Sequence, residues 1–285
     1  HPAGESGQVL VAARALDRGT VLKSEDLKVT EWTKGKPPDG ALFDREQVSG
    51  LTLLDSLDAR AFQATNPYPW LNPEGVLRPE AWRRLLATMP STDVMQPFFG
   101  VQRKHGQQPH DRWVLEYTEQ GARVLSDDWG AFLEELQGAR YARWVRKMFG
   151  RGRLWLNFHW HYAPASASVS PHCDSPRKLG SHIFYLNDPD RWDPSWGGET
   201  VVLDDHGRFP TRSAPRWEDF DSATPAVAAG NRSFLFARRG NSWHGVRAIQ
   251  CPEGELRRVF IVVVNDLVKS LPFVIKRKLG IEAGY

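Results

Sequence analysis

The sequence predicts a mainly β protein, a jelly roll with bracing helices preceded by a small β unit, and three observations carry that expectation. From about residue 153 onward, short apolar stretches alternate with turns, the pattern of antiparallel strands folded into a sandwich or barrel. Between residues 79 and 150 run three segments with helical periodicity and helix-type ends. Residues 8 to about 57 have a strand-and-turn pattern of their own, set off by the loop-rich stretch ATNPYPWLNPEGVLRP. The expected domains are 1–57 and 58–285, with the jelly-roll core at about 150–265.

In chain order, QVLVAARALDRGTVLKSEDLKVTEW supplies a short apolar strand, a turn at Asp17-Arg18-Gly19, then Thr-Val-Leu and a capped acidic turn at Ser24-Glu25-Asp26. The segment PEAWRRLLATMP has Pro79 near a helix start and Pro90 after its end. DDWGAFLEELQG and ARYARWVRKMFG read as helices, each closed by a glycine. The expected strands are RLWLNFHWHYA, SHIFYLN, GETVVLD, RSFLFAR, WHGVRAI and LRRVFIVVVN. The tail VKSLPFVIKRKLGIEAGY is basic and apolar. It reads as a solvated end or a docking helix, and weak contact with a membrane surface or an acidic polymer is a further reading.

Composition narrows the class. The chain has 285 residues, 41% hydrophobic and 25% charged, enough for one large core. A net charge of +3, with no recognisable nucleic-acid motif, argues against a DNA or RNA partner. Two cysteines, Cys173 and Cys251, do not make a disulfide framework, and a reducing cytoplasm is the expected setting. No apolar run approaches transmembrane length. The first residues, HPAGESGQ, lack Met and a signal-like apolar stretch and read as a remnant or a trimmed end. The twelve tryptophans, Trp192, Trp196 and Trp217 in polar loops among them, fit core and rim packing or platforms for a flat ligand such as a sugar.

The candidate chemistry centres on SPHCDSPRKLGSHIFYLN. In an extended chain residues i and i+2 point the same way, so His172 and Asp174 can hold one ion together while Cys173 points elsewhere. His244, in NSWHGVRAI, completes two histidines and one carboxylate, the facial set that leaves positions open on a non-haem Fe(II). His-x-Asp alone is a weak signal among nine histidines.

The context is more specific. HYAPASASVSPHCD, FYLND, WGGET, AGNRSFLFARRGNSWHGVRAI and LRRVFIVV occur in the order and spacing of the Fe(II)- and 2-oxoglutarate-dependent oxygenase superfamily, whose prolyl-4-hydroxylase-like branch the chain resembles through about residues 150–265. One departure is the insert QCPEGE, which lengthens the gap between His244 and the basic residue that follows. The resemblance implies a double-stranded β-helix, Fe(II) on His172, Asp174 and His244, and 2-oxoglutarate and O2 as co-substrates. It implies a basic anchor for the far carboxylate of 2-oxoglutarate. A guanidinium suits that task, and of the neighbours Arg257 and Arg258 only one can point inward, Arg257 being favoured and Arg258 the fallback. Tyr162 is the implied hydrogen-bond donor to the co-substrate, with a half-buried strand tyrosine as the alternative. The related halogenases lack the carboxylate, so Asp174 implies hydroxylation or a related oxidation such as desaturation. The implied reaction converts 2-oxoglutarate and O2 to succinate and CO2 and removes a hydrogen from the substrate.

VLVAARALDRGTVLKSEDLKV, with VSGLTLLDSL after it, resembles the SAF or antifreeze-like domain, a small β-clip fold that usually helps to bind or shape a ligand. An N-terminal hairpin packed on the main domain is the alternative. The remaining candidates have simpler readings. His159 and His161 could form a second metal pair but lack a matching carboxylate; His182 reads as strand packing or a substrate contact; Gly197 and Gly198 read as a bend. Arg177 and Lys178 read as a solvated loop or a contact for an anionic substrate. The expected substrate is a small molecule or a carbohydrate, an acidic sugar among them. Tailoring of a free amino acid or natural-product intermediate is the alternative, and a non-catalytic jelly-roll metal-binding module, including a zinc site, is a third reading.

Overall fold

Short apolar strands with few breakers pair into antiparallel sheets, and a computed structural model describes them at residues 7–12, 27–32, 54–118 and 121–271. Strands β1 (Gly7–Ala12) and β2 (Leu27–Trp32) form a two-stranded ladder from Gly7↔Trp32 to Ala12↔Leu27. The turns expected at 17–19 and 24–26 lie outside the described residues, as does the tail beyond Leu271.

Among the described residues, the larger sheet has seven strands in the order β3 (Trp70–Leu71), β11 (Ser233–Ala237), β8 (Lys178–Tyr185), β13 (Arg257–Asp266), β6 (Leu154–Ala163), β5 (Arg112–Glu116) and β4 (Gln96–Phe98). The smaller sheet has four, in the order β10 (Ser222–Pro225), β9 (Val201–Asp204), β12 (His244–Val246) and β7 (Val169–His172). All the expected strands of the 150–265 segment form, with ends moved by up to a few residues. The short strands β3, β4, β5, β7 and β10 were not expected. Sequences such as VSPH and SATP have little strand character, and neighbouring strands supply their pairing.

The larger sheet is covered on both faces, which is why β13 reads as the near-continuous run VFIVVV. Val259, with Ile183, Tyr185, Phe234 and Phe236, meets Val202 of the smaller sheet on the inner face. Phe260, Val262 and Val264, with Trp160 and Phe184, meet helices on the outer face. Those helices are α1 (Ala59–Ala64), α2 (Pro79–Ala87), α3 (Asp127–Gln137) and α4 (Ala139–Phe149). Ser126 accepts from Trp129 N at 3.3 Å to start α3, and Gly150, at φ 62°, ends α4. Trp129 and Trp160 pack edge-on at 5.0 Å and are fully buried, each worth about 2–3 kcal/mol of transfer free energy. The helical layer leaves the inner face, between the sheets, for the site.

Candidate metal centre

His172 ends β7 and His244 begins β12, and the two are direct partners in the ladder between those strands. Their rings lie 4.4 Å apart, centre to centre. Asp174 follows just past the strand end. One ligand atom from each of the three lies within 4.8 Å of the others. Among the described residues no other group of His, Cys, Asp and Glu gathers this way. Cys173, between the ligands, points to the opposite side, packing near Trp243 with its Sγ 4.0 Å from Gly240 O. Burial pushes its thiol up to about 12.

The hydrogen bonds prepare both imidazoles. His172 Nδ1 donates to Ser170 O at 3.0 Å, and His244 Nδ1 donates to Ser242 O at 2.9 Å. A carbonyl only accepts, so each Nδ1 carries the proton and each Nε2 presents a lone pair. Burial holds His172 well below its ordinary range, reinforced by His244 and Arg103. Burial lowers His244 as well. Burial alone would raise the Asp174 carboxyl, but Lys178 and the two histidines outweigh it and hold it well below the carboxylate range. Lys178 Nζ donates to Asp174 Oδ1 at 2.9 Å, which leaves Oδ2 for an ion. Two neutral nitrogens and one carboxylate oxygen on one side of a buried chamber suit a divalent cation with open positions opposite.

Arg257, two residues before Val259 on β13, shares its inner face. It is 6% exposed, its Nε donates to Gly198 O, and its guanidinium sits 5.9 Å over the Tyr185 ring. Gly198 adopts φ +91°, and a Cβ there would meet Arg257 Cδ at 3.1 Å, so glycine lets the strand-end loop pass the side chain. The Tyr185 hydroxyl donates to Thr200 Oγ1 at 3.0 Å and accepts from Thr200 N at 3.2 Å. No carboxylate among the described residues is within ion-pair distance of Arg257. Glu199 acts on it only from beyond ion-pair distance, and a buried cation so weakly matched suits an anion. Arg257 lines a narrow crevice with His110, Ala163, Ala167, Val169 and Val246, the last two on the strands that carry His172 and His244.

Tyr162 and Arg258, two of the candidate co-substrate residues, lie on the other face of the sheet. Directly paired residues of antiparallel strands share a face, and Arg258 pairs with Tyr162. Both therefore point to the helices, away from the metal ligands. Tyr162 donates to Pro90 O at 3.0 Å, and the Arg258 guanidinium lies 5.8 Å over its ring. His182 also faces the helices, with Nδ1 3.0 Å from the Tyr141 hydroxyl, and burial lowers it to about 3. Lys178 is the partner of Asp174, not part of a solvated loop. Trp192 and Trp196 pack on each other at 5.3 Å, and Trp217 lies under Arg247 at 4.5 Å, which is rim packing.

His159 and His161 point inward. His161 lies 6.0 Å from His159 and 6.2 Å from His110, ring to ring, but no carboxylate joins them into a second metal group among the described residues. Sequence reasoning missed Tyr185, Thr200, Arg103 and His110. For Tyr185 a signal existed: it alternates with Ile183 along a strand beside the Arg257 strand. For Arg103 and His110, in the polar loop before β5, there was none.

Residues 7–59 match the SAF domain model. Among solved structures, a prolyl-4-hydroxylase from Pseudomonas putida is 15% identical, with a TM-score of 0.52 over 75% of this chain and 98% of that one. The non-heme alpha-ketoglutarate-dependent carbocyclase SnoK of nogalamycin biosynthesis is also 15% identical, with a TM-score of 0.50 over 75% of this chain and 85% of that one. This chain shares their fold. It is the jelly roll that the strand pattern predicts. No curated protein matches the chain. No helix among the described residues is long and apolar enough to cross a membrane.

Proposed function

We propose that the chain is an Fe(II)- and 2-oxoglutarate-dependent dioxygenase that hydroxylates a small molecule or a glycan. The observation that carries this reading is the gathering of His172, Asp174 and His244 within 4.8 Å, with the buried cation Arg257 on the inner face between the same two sheets. Bound Fe(II) and 2-oxoglutarate would supply the oxidation, turning O2 and 2-oxoglutarate into succinate, CO2 and an oxidised substrate. The protein's own residues do the rest. His172 and His244 present neutral Nε2 atoms, and Lys178 keeps Asp174 ionised and orients it. Arg257 takes the far carboxylate of 2-oxoglutarate in a bidentate pair, with the Tyr185 hydroxyl fixed beside it by Thr200. The apolar inner face of the sheets keeps water from the reacting atoms.

The SAF-like unit, 1–57, precedes the oxygenase domain, 58–285, and is read as an accessory to ligand binding. Two cysteines without a disulfide support a cytoplasmic setting. The test is anaerobic titration of the metal-free protein with Fe(II) and 2-oxoglutarate, reading the visible charge-transfer band, with His172→Ala in parallel. A band that His172→Ala abolishes supports the reading. Retained metal with no band in the parent protein removes it.

A further inference from the structure

The loop between β4 and β5 brings Arg103 over the metal centre. Its Nη1 donates to Ser170 Oγ at 3.4 Å, and Ser170 is the residue whose carbonyl orients His172. The guanidinium is partly desolvated and close enough to Asp174 to feel its charge. No carboxylate among the described residues lies within ion-pair distance of it. A long bond to a neutral hydroxyl leaves most of its five donors uncommitted.

The same chamber contains further donors. The His110 carbonyl is held by Arg112 Nη1 at 2.7 Å, and its ring faces His161 at 6.2 Å. His161 keeps its Nε2 buried with no hydrogen-bond partner. The charged groups acting on His110 and His161 are Arg103, Arg112, Arg257, Lys178 and other histidines, with no carboxylate among them. Loading the site as proposed above matches 2-oxoglutarate with Arg257 and the ion, and Asp174 with Lys178 and the ion. Arg103 is left without a counter-charge. A permanent cation facing the reaction centre selects an anion by charge and by hydrogen bonding.

Resting on the functional reading above, we propose that the prime substrate carries an anionic group, a carboxylate or a phosphate, which docks on Arg103 beside the metal centre with His161 as a second polar contact. This makes Arg103 a binding residue that sets substrate class, and it favours acidic sugars, phosphorylated compounds and carboxylic acids over neutral ones.

The test uses the whole chain loaded with Mn(II) and saturating 2-oxoglutarate, so that Arg257 is occupied. Inorganic phosphate is the probe, and paramagnetic relaxation of its 31P signal by the bound Mn(II) reports an anion near the ion. The expected result is saturable relaxation in the parent protein, weakened about tenfold or more in affinity in Arg103→Gln and largely kept in Arg103→Lys. Mn(II) and 2-oxoglutarate affinities are expected to be unchanged in both variants, which also shows that the site is still folded. No saturable relaxation in the parent overturns the proposal. So does relaxation that survives in Arg103→Gln, which would place phosphate on the ion itself. Weaker 2-oxoglutarate binding in Arg103→Gln overturns it too, because Arg103 would then serve the co-substrate. If the parent does not retain Mn(II), the functional reading fails first, a result distinct from all of these, and the substrate assignment falls with it.

Discussion

His172 and His244 are direct register partners across β7 and β12, and each donates Nδ1 to the carbonyl two residues before it. One ladder thus sets the spacing of both rings and their tautomers. Replacing either histidine by Ala is expected to lower Mn(II) or Fe(II) affinity at least about 100-fold, since even outer partners of metal ligands cost 10–100-fold. Equilibrium dialysis checks this, with unchanged far-UV circular dichroism as the control.

Lys178 is expected to matter through Asp174. Lys178→Met should weaken metal binding about tenfold, because the carboxylate loses the donor that holds Oδ1. Lys178→Arg should restore part of the loss. Equal metal affinity in parent and Lys178→Met would show that the contact does not orient the ligand.

Stability and co-substrate binding are expected to diverge at Arg257. It is a buried cation with no carboxylate within ion-pair distance among the described residues, so Arg257→Met should stabilise the fold by about 1–4 kcal/mol while abolishing 2-oxoglutarate binding. Gly198→Ala should weaken 2-oxoglutarate binding as well, since its Cβ would press on Arg257 Cδ at 3.1 Å. Thermal melts with and without 2-oxoglutarate separate the two effects.

Tyr162→Phe is expected to leave 2-oxoglutarate affinity unchanged and to destabilise the protein by about 1 kcal/mol, because its hydroxyl serves Pro90 O behind the sheet. A large loss of co-substrate affinity in this variant would contradict the face assignment. Arg258→Met should behave likewise toward 2-oxoglutarate.

The pH dependence follows from the two ligand imidazoles. Burial places both below their ordinary 6.5 in the folded protein, so the unfolded chain takes up protons first. Their contribution to metal-free stability is present above about pH 6.5 and is lost as pH falls through the lower folded values. Metal affinity declines over the same acid range, because the neutral ring is the ligand. Melting temperatures from pH 8 to pH 5 check the sign, and replacing both histidines by Gln should flatten that part of the curve.

Much of this was legible in the chain. The strands at 153–163, 232–238 and 256–265 and the three helices at 79–150 carry strong local patterns, while the His-x-Asp pair and its distal histidine stood out only through the family resemblance. A period of two or of 3.6 is a property of neighbours in sequence, as is the common direction of residues two apart. The choice between Arg257 and Arg258 was open, because adjacent strand residues differ only in which face the sheet buries toward the site. The two readings of Tyr162 stayed open for the same reason: the strand's pattern shows two apolar faces and does not say which meets helices and which meets the second sheet.

By itself, the sequence determined the element types, which rest on residue identity and short spacing, and its family resemblance pointed to His172, Asp174 and His244 as the candidate ligand set. Only the tertiary structure decided that Arg257 and Tyr185 face the same side of the larger sheet, that Lys178 bonds Asp174, and that Arg103 and His110 arrive from a distant loop. Those are relations of strand register and sheet packing, and they act between residues far apart in the chain.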